Sequence, residues 1–231
     1  MTRKYGLALS LDAVLFAPVG SQPLKPQGST AAFEDRLAMT QLAIVGEPGF
    51  AISLADAPAS SGAPNYTLET LLALRAELTN DGTLFCLMGA DSFRGLRHWH
   101  RAAEVPFAAQ MIVASRPGQS LDDLAAALPA GLGIESAPDL TPDLDRPRSD
   151  GSGLDVLGLD VPVSDVSGSD VELRCFRLRN AAGESTPFYL LSGLDVEISA
   201  TEIRERVRAG SGSELLPVAV ADYIRSHNLY Q

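Results

Sequence analysis

TLFCLMGAD, residues 83–91, is an apolar run that ends in a glycine and an acid. The same order, a buried strand followed by a loop with glycine or proline, recurs in AVLFAPVG, residues 13–20, and in AQMIVASRPG, residues 109–118. A parallel sheet that is covered on both faces requires continuously apolar strands of this kind. The three runs therefore predict strands of one parallel sheet.

Helical segments lie between these strands. Residues 31–45 place apolar side chains on one face, and residues 67–78 begin with Thr67 as the predicted cap and an acidic first turn. Strands that alternate with helices predict an α/β fold with a Rossmann-like, doubly wound parallel sheet, in a single domain of residues 1–231. Ligands of such sheets bind beyond the C-terminal ends of the strands.

The composition of the chain limits the classes of function. The chain has 231 residues and a net charge of −11, so its surface repels polyanions and a nucleic-acid partner is not expected. No apolar run reaches the roughly 18 residues of a membrane span. Asp12 interrupts the apolar N-terminal segment, so we expect no signal peptide and a cytoplasmic location. Cys86 and Cys175 lie in apolar runs and are expected to be buried free thiols.

Residues 137–170 differ from the rest of the chain. They contain eight Asp with many Gly, Pro and Ser, and no Glu or Lys. We expect a solvated, poorly ordered acidic insertion in the domain. A Ca²⁺ site is the alternative, but the spacing of an EF-hand loop and its closing Glu are absent. Two strands are expected after it, near residues 171–179 and 187–191, and a last helix begins at Pro217.

A helix that begins after hydroxyl residues is the first candidate site. In VEISATEIRERVRAG, residues 196–210, the predicted helix start carries Ser199 and Thr201, and Arg204 follows about one turn later. Free N–H groups and a partial positive charge at a helix N-terminus suit a phosphate, which an arginine can also bind. The alternative is an ordinary capped helix with solvated arginines.

Four further side chains lie at or near predicted strand ends. Lys25 follows the first strand, Asp91 the second and Arg116 the third, and Trp99 stands between two histidines. A carboxylate in the position of Asp91 often binds ribose hydroxyls. Each side chain also has a structural explanation: Lys25 as a solvated lysine, Asp91 as a helix cap, Arg116 in a surface ion pair and Trp99 as a core residue. Together they place basic, aromatic and ribose-binding groups at one edge of the sheet.

In order and spacing, the motifs of this chain resemble bacterial nicotinate-nucleotide adenylyltransferase, of the nucleotidyltransferase α/β superfamily. The matching motifs are PVGSQPLKP, FEDRLAMTQLAI, NYTLETL, GADSF, HWH, SRPG, ISATEIRERVRAG and VADYIRSHNLY. The resemblance implies adenylyl transfer from ATP to nicotinate mononucleotide, giving deamido-NAD and pyrophosphate, with Mg²⁺. It assigns to ATP the residues Gly89, Asp91, Ile198, Ser199, Thr201 and Arg204, with Ala200 in place of a second serine. It assigns to the nicotinate nucleotide the residues Lys25, Tyr66, Thr67, Trp99, His100 and Arg116.

The chain departs from the family pattern in its first part. Family members begin with a central strand, a glycine-rich turn and a His-x-Gly-His motif, whereas no histidine precedes His98 here. We therefore expect this chain to lack the central first strand and both catalytic histidines, and to be inactive as it stands. A start assigned too late and a true truncation both explain the pattern. Two other functions stay open: another adenylyltransferase, such as one acting on pantetheine phosphate, and a non-catalytic nucleotide-binding protein.

Overall fold

The computed structural model describes residues 11–23, 29–78, 82–114, 125–140, 172–192 and 199–230. Contacts between residues divide the chain into two compact units. Unit 1 consists of residues 1–12 and 66–196, and unit 2 consists of residues 13–65 and 197–231. None of the helices in the described part is long and apolar enough to cross a membrane.

Unit 1 is built on a five-stranded sheet with the spatial order β3-β4-β7-β6-β5. Its strands are β3 (Phe85–Gly89), β4 (Gln110–Ala114), β5 (Leu132–Ser136), β6 (Glu172–Asn180) and β7 (Ser185–Ser192). Its helices are α2 (Thr67–Glu77), α3 (Ala90–Arg94) and α4 (Val105–Ala108), with single 3₁₀ turns at Leu96–His98 and Ala102–Glu104. Strands and helices alternate through the first half of the unit, which confirms the predicted α/β class.

The length of each connection explains the direction of the strands. Residues 90–109 connect β3 to β4 through helices, and the two strands are parallel, as β4 and β7 also are. Only residues 181–184, with Gly183 at φ 85°, connect β6 to β7, and these strands form an antiparallel hairpin. Strand β5 is antiparallel to β6. This sheet is therefore mixed, and the first apolar run, at Val14–Phe16, pairs in a separate two-stranded sheet, whereas the three runs predicted strands of one parallel sheet.

Strand β4 lies inside the sheet and is buried on both faces. Met111, Ile112 and Val113 are consecutive, so their side chains point to alternate faces, and each is 0% exposed. Met111 and Val113 join the larger core, and Ile112 packs on the opposite face with Tyr189. The continuously apolar sequence of this strand predicts that double burial.

In its described residues, unit 2 contains a small parallel sheet and three helices. Its elements are β1 (Val14–Phe16), α1 (Phe33–Ile44), β2 (Phe50–Ile52), α5 (Ala200–Arg208) and α6 (Val218–Ser226), with a 3₁₀ turn at Ser213–Leu215. The rings of Phe16 and Phe50 pack across the β1–β2 pair, with their centroids 5.2 Å apart. Helix α6 packs on α1, where the Tyr223 hydroxyl donates a hydrogen bond to Asp35 Oδ1 at 3.0 Å.

Most predicted elements are confirmed, but the predicted cap at Thr67 is wrong. Thr67 is the first residue of α2, and Tyr66 is the N-cap, without a side-chain hydrogen bond. At the start of the predicted insertion, Ala137 is 1% exposed, and its N–H donates to Cys175 O at 3.2 Å. Ala137 therefore belongs to the folded sheet, while residues 141–170 lie outside the described residues. Cys86 and Cys175 are free thiols, as expected, but both residues are only partly buried, whereas full burial was predicted.

Candidate functional site

The N-terminus of α2 and the segment after α3 meet at the rings of Tyr66 and His100. The two ring centroids are 4.4 Å apart, with 34° between the ring planes. The backbone carbonyl of Tyr66 accepts the Thr70 amide at 3.2 Å, and this bond fixes Tyr66 at the start of the helix. Both are residues that the family resemblance assigns to the nicotinate nucleotide. The fold therefore brings together two side chains that are distant in sequence.

Charged side chains surround this ring pair. Glu69 Oε1 lies 3.7 Å from His100 Nε2 and 3.8 Å from Arg101 Nη1. Arg101 also forms a double hydrogen bond with Glu104, at 2.8 and 2.6 Å, which lowers the pKa of Glu104. Arg101 has a left-handed backbone at φ 49°, which is uncommon for a residue with a side chain. No sequence pattern distinguishes Glu69, Arg101 or Glu104 as site residues, and only their nearness to Tyr66 and His100 could have indicated them.

Trp99 precedes His100 at the end of a 3₁₀ turn. Its side chain is half-buried and packs against the larger core of unit 1. Trp99 N–H donates to Leu96 O at 2.9 Å, which fixes the backbone at this point. The side chain therefore combines core packing with an exposed part that a flat ring could stack on.

The loop after β3 carries the two residues assigned to ATP in unit 1. Gly89 ends the strand and is exposed, and a side chain added there would meet no atom of the described residues within 4 Å. Asp91 lies in the first turn of α3, where its Oδ1 accepts a hydrogen bond from Arg94 Nη1 at 2.8 Å. A ligand can therefore approach the backbone at Gly89 closely, and Asp91 is exposed beside it.

In unit 2, helix α5 begins at the hydroxyl residues that the sequence analysis selected. Ser199 is the N-cap, and its hydroxyl oxygen accepts the Glu202 amide at 3.1 Å. Thr201 lies inside the first turn, and its hydroxyl accepts a hydrogen bond from Arg204 Nη2 at 3.1 Å. Ser199 is therefore an ordinary cap, as the alternative explanation required. A hydroxyl that accepts one hydrogen bond still has its own hydrogen to donate, so capping does not exclude a phosphate.

Tyr230, near the C-terminus, belongs to the surroundings of Arg204. Burial raises the pKa of the Tyr230 hydroxyl, while the charges of Arg204 and Arg36 partly oppose that rise. Arg36 and Arg204 thus both act electrostatically on one tyrosine of unit 2.

Three of the predicted site residues, Lys25, Arg116 and Ile198, lie outside the described residues. Of the other nine, Tyr66, Thr67, Gly89, Asp91, Trp99 and His100 belong to unit 1, whereas Ser199, Thr201 and Arg204 belong to unit 2. Within the part of the chain that the structure describes, no group of three His, Cys, Asp or Glu side chains could hold a metal ion.

The mixed, mostly parallel α/β arrangement is consistent with a Rossmann-like nucleotidyltransferase fold, whose ligands bind beyond the C-terminal ends of the strands. Comparison with known proteins identifies the family. The chain is 30% identical over 223 residues to "Probable nicotinate-nucleotide adenylyltransferase" of Dehalococcoides mccartyi, an alignment covering 96% of this chain and 84% of that protein. It is 31% identical over 225 residues to the protein of the same name from Trichlorobacter lovleyi, covering 97% and 87%.

A third relative, from Citrifermentans bemidjiense, has the same name and is 30% identical over 221 residues, covering 95% of this chain and 85% of its own. No family model matches the chain. Identity at this level over nearly the whole chain shows that the chain belongs to the nicotinate-nucleotide adenylyltransferase family.

Proposed function

We propose that this protein transfers the adenylyl group of ATP to nicotinate mononucleotide, forming deamido-NAD and pyrophosphate. Family membership supports the reaction. The observation that carries the proposal is the contact of Tyr66 with His100, 4.4 Å between ring centroids, next to the half-buried Trp99. Three residues that the resemblance assigns to the pyridine nucleotide thus lie in one part of unit 1.

In the proposed reaction a phosphate oxygen of nicotinate mononucleotide attacks the α-phosphorus of ATP. The new P–O bond forms as the bond to the β-phosphate oxygen breaks, and pyrophosphate leaves. The chain contributes position and charge to this reaction. The proposed donors for the triphosphate are the N–H groups at the start of α5, the Ser199 and Thr201 hydroxyls and the Arg204 guanidinium. Gly89 and Asp91 of unit 1 are the proposed adenosine-side contacts, and Ile198, outside the described residues, is the last residue that the resemblance assigns to ATP.

Mg²⁺ enters this proposal as part of the substrate, Mg-ATP. Mg²⁺ usually keeps several waters and binds through substrate phosphates rather than in an all-protein cage. The proposal assigns no residue of this chain as a direct ligand of the metal. Magnesium would neutralise charge on the phosphates.

On the pyridine side, we propose that Trp99 stacks on the nicotinate ring. Tyr66, Thr67 and His100 surround it, and Lys25 and Arg116 supply positive charge for its anionic groups. An aromatic face suits a flat, partly cationic ring because stacking and cation–π attraction act together. We expect the reaction to take place in the cytoplasm.

Activity of this 231-residue polypeptide itself is a separate question. The three histidines of the sequence are His98, His100 and His227, and no His-x-Gly-His motif occurs. Loss of a donor to the transferring phosphate typically costs about 100- to 1,000-fold in rate. We therefore expect the 231-residue chain to bind nucleotides but to release pyrophosphate slowly. Turnover near 1 s⁻¹, roughly the low end for enzymes, in a pyrophosphate-release assay would contradict this expectation.

Calorimetric titration tests the proposed substrates directly. ATP with Mg²⁺, nicotinate mononucleotide, nicotinamide mononucleotide and pantetheine phosphate are titrated separately into the same protein. The proposal expects binding of ATP and nicotinate mononucleotide. Binding of pantetheine phosphate instead of nicotinate mononucleotide selects another adenylyltransferase, and binding of ATP alone favours a non-catalytic nucleotide-binding protein.

A further inference from the structure

The backbone of residues 19–21, directly after β1, is held from two sides by side chains that the family resemblance does not assign to any ligand. Arg36 of α1 binds it from one side, and Asn65 binds it from the other. All of these residues belong to unit 2. We call this arrangement, Arg36 and Asn65 on residues 19–21, the loop clamp.

Arg36 binds two consecutive carbonyl groups of the loop. Nη1 donates to Val19 O at 2.6 Å, and Nη2 donates to Gly20 O at 3.3 Å. The guanidinium also lies over the Phe33 ring, 5.6 Å from its centroid, which restricts its orientation. Among the described residues, no acceptor partners the buried Arg36 Nε. The planar fork is therefore held in one orientation although one of its donors is unsatisfied.

Asn65 uses its side chain and its backbone on the loop clamp. Its Oδ1 accepts a hydrogen bond from the Ser21 backbone amide at 2.9 Å, and its own backbone amide donates to Ser21 O at 3.0 Å. Its Nδ2 donates to Ala57 O at 2.9 Å. Both polar ends of the side-chain amide are thus used, and they connect the loop to the segment before α2.

Gly20 is the point of closest approach inside the clamp. A Cβ added there would lie 2.5 Å from Pro58 N and 2.7 Å from Asn65 Oδ1, below any real contact. The Gly20 amide donates to Asp56 O at 2.6 Å. Only glycine fits at this position, because the backbone of residue 58 leaves no room for a side chain.

We propose that Asn65 is a positioning residue for the pyridine-nucleotide site, with Arg36 as its partner across the loop. Asn65 is joined by one peptide bond to Tyr66, and Thr67 follows. An Asn65 side chain fixed to Ser21 and Ala57 fixes the point from which Tyr66 and Thr67 extend. This inference rests on the proposed function, which assigns Tyr66 and Thr67 to nicotinate mononucleotide. Neither Asn65 nor Arg36 needs to touch the ligand.

Two variants and two matched controls test the loop clamp. Asn65→Ala removes both side-chain hydrogen bonds, and its control is Asn180→Ala, which removes a similar pair to Glu184 in a turn of unit 1. Arg36→Lys keeps the charge but cannot fork onto two carbonyls. Its control is Arg75→Lys, because Arg75 also donates to two carbonyls, Phe107 O at 2.7 Å and Ala108 O at 3.3 Å.

Binding and hydrogen exchange are measured on all four variants. We expect Asn65→Ala to raise the Kd for nicotinate mononucleotide about tenfold, the effect of losing one or two hydrogen bonds, while the Kd for ATP changes less than about twofold. Arg36→Lys should raise the Kd for nicotinate mononucleotide by about threefold to tenfold. Amide exchange followed by NMR should accelerate at Ser21 in Asn65→Ala. The controls should change neither the Kd values nor exchange at Ser21.

Each result decides a separate point. Unchanged exchange at Ser21 in Asn65→Ala overturns the loop clamp, whatever the ligand does. Faster exchange with an unchanged Kd, or an equal rise in both Kd values, overturns the positioning role. If the wild-type chain binds ATP but not nicotinate mononucleotide, the proposed function fails and the positioning role fails with it, although the exchange rates still decide whether the clamp exists.

Discussion

Tyr66 and His100 form a tilted aromatic pair at the N-terminus of α2, with ring centroids 4.4 Å apart and 34° between the ring planes. Glu69 lies in the first turn of α2, and its Oε1 is 3.7 Å from His100 Nε2. His100 is therefore held by an aromatic ring and by an acid that belong to the same helix. That arrangement orients an exposed histidine without burying it.

The first prediction concerns this ring pair. His100→Ala removes the aromatic contact, whereas His100→Phe keeps a ring of similar shape without the imidazole nitrogens. In the proposed site this contact keeps Tyr66 in its binding orientation, and an aromatic pair is worth about 0.5–1.5 kcal/mol. Because His100→Ala lowers the population of that orientation, we expect nicotinate mononucleotide binding to weaken by at most roughly twelvefold. His100→Phe should retain most of the affinity. Calorimetric titration measures both, and equal loss in the two variants would show that the imidazole nitrogens matter rather than the stacking.

The second prediction concerns the cap at the start of α5. Ser199→Ala removes the acceptor for the Glu202 amide, which typically costs about 1 kcal/mol of stability. Thr201→Ala is the control, because the hydroxyl of the exposed Thr201 accepts a hydrogen bond from the Arg204 side chain and does not cap the helix, so its loss should cost within about 0.5 kcal/mol. Urea unfolding measures the difference. Equal stability of the two variants would contradict the cap.

Ser199→Ala should also weaken ATP binding if the hydroxyl hydrogen donates to a phosphate. The two roles separate because the cap uses the oxygen lone pair and the phosphate uses the hydrogen. A loss of stability with no loss of ATP affinity would leave Ser199 as a cap alone.

Single elements show what the sequence could predict. Strand β4 was predictable because Met111, Ile112 and Val113 are all apolar, which requires burial on both faces. Strand β5 was not, because LGIES at Leu132–Ser136 is short and only partly apolar, and its pairing with β6 is a long-range contact. A cap was predicted at Thr67 because a hydroxyl side chain is available there. The prediction is wrong because the helix begins at Thr67 itself, one residue earlier than a cap at Thr67 requires.

In the candidate site, too, some residues were predictable from the sequence and others were not. The end of an apolar run predicted the position of Asp91 just after a strand, whereas only the family resemblance selected Gly89, the last residue of β3. The contact of Tyr66 with His100 depends on how α2 packs against the segment after α3, which no local pattern encodes. Arg36 and Asn65 were not predictable for a different reason. Both bind backbone carbonyls or amides, and sequence patterns do not show which backbone groups need a partner.

The third prediction concerns thiol reactivity. Burial raises the pKa of the Cys86 thiol to about 11, so the group stays protonated at pH 8, and the thiolate is the reactive form. In a Cys175→Ser variant, we expect a disulfide reagent to label Cys86 very slowly at pH 8 and rapidly once the chain is unfolded in urea. Rapid labelling of the folded protein would contradict the burial of this side chain.

The same pKa gives a pH dependence of stability. In the unfolded chain Cys86 ionises near its ordinary pKa of about 8.5, so above that pH the unfolded state loses its proton first. The contribution of Cys86 to stability is therefore intact below about pH 8.5 and falls as the pH rises toward 11. A Cys86→Ala variant should show a weaker loss of stability over this range in urea unfolding.

The last prediction concerns Trp99 and Arg204. Trp99 packs against the core and exposes part of its ring, so Trp99→Ala should lower the melting temperature and also weaken nicotinate mononucleotide. Stacking on an aromatic face is worth about 1–3 kcal/mol, which corresponds to a loss of roughly 5- to 150-fold, and ATP should be affected much less. Arg204→Ala should show the opposite preference, because the guanidinium is the proposed donor to the triphosphate. A thermal melt beside each titration separates the roles: if Trp99→Ala melts early and binds both ligands equally badly, its ring serves the core alone.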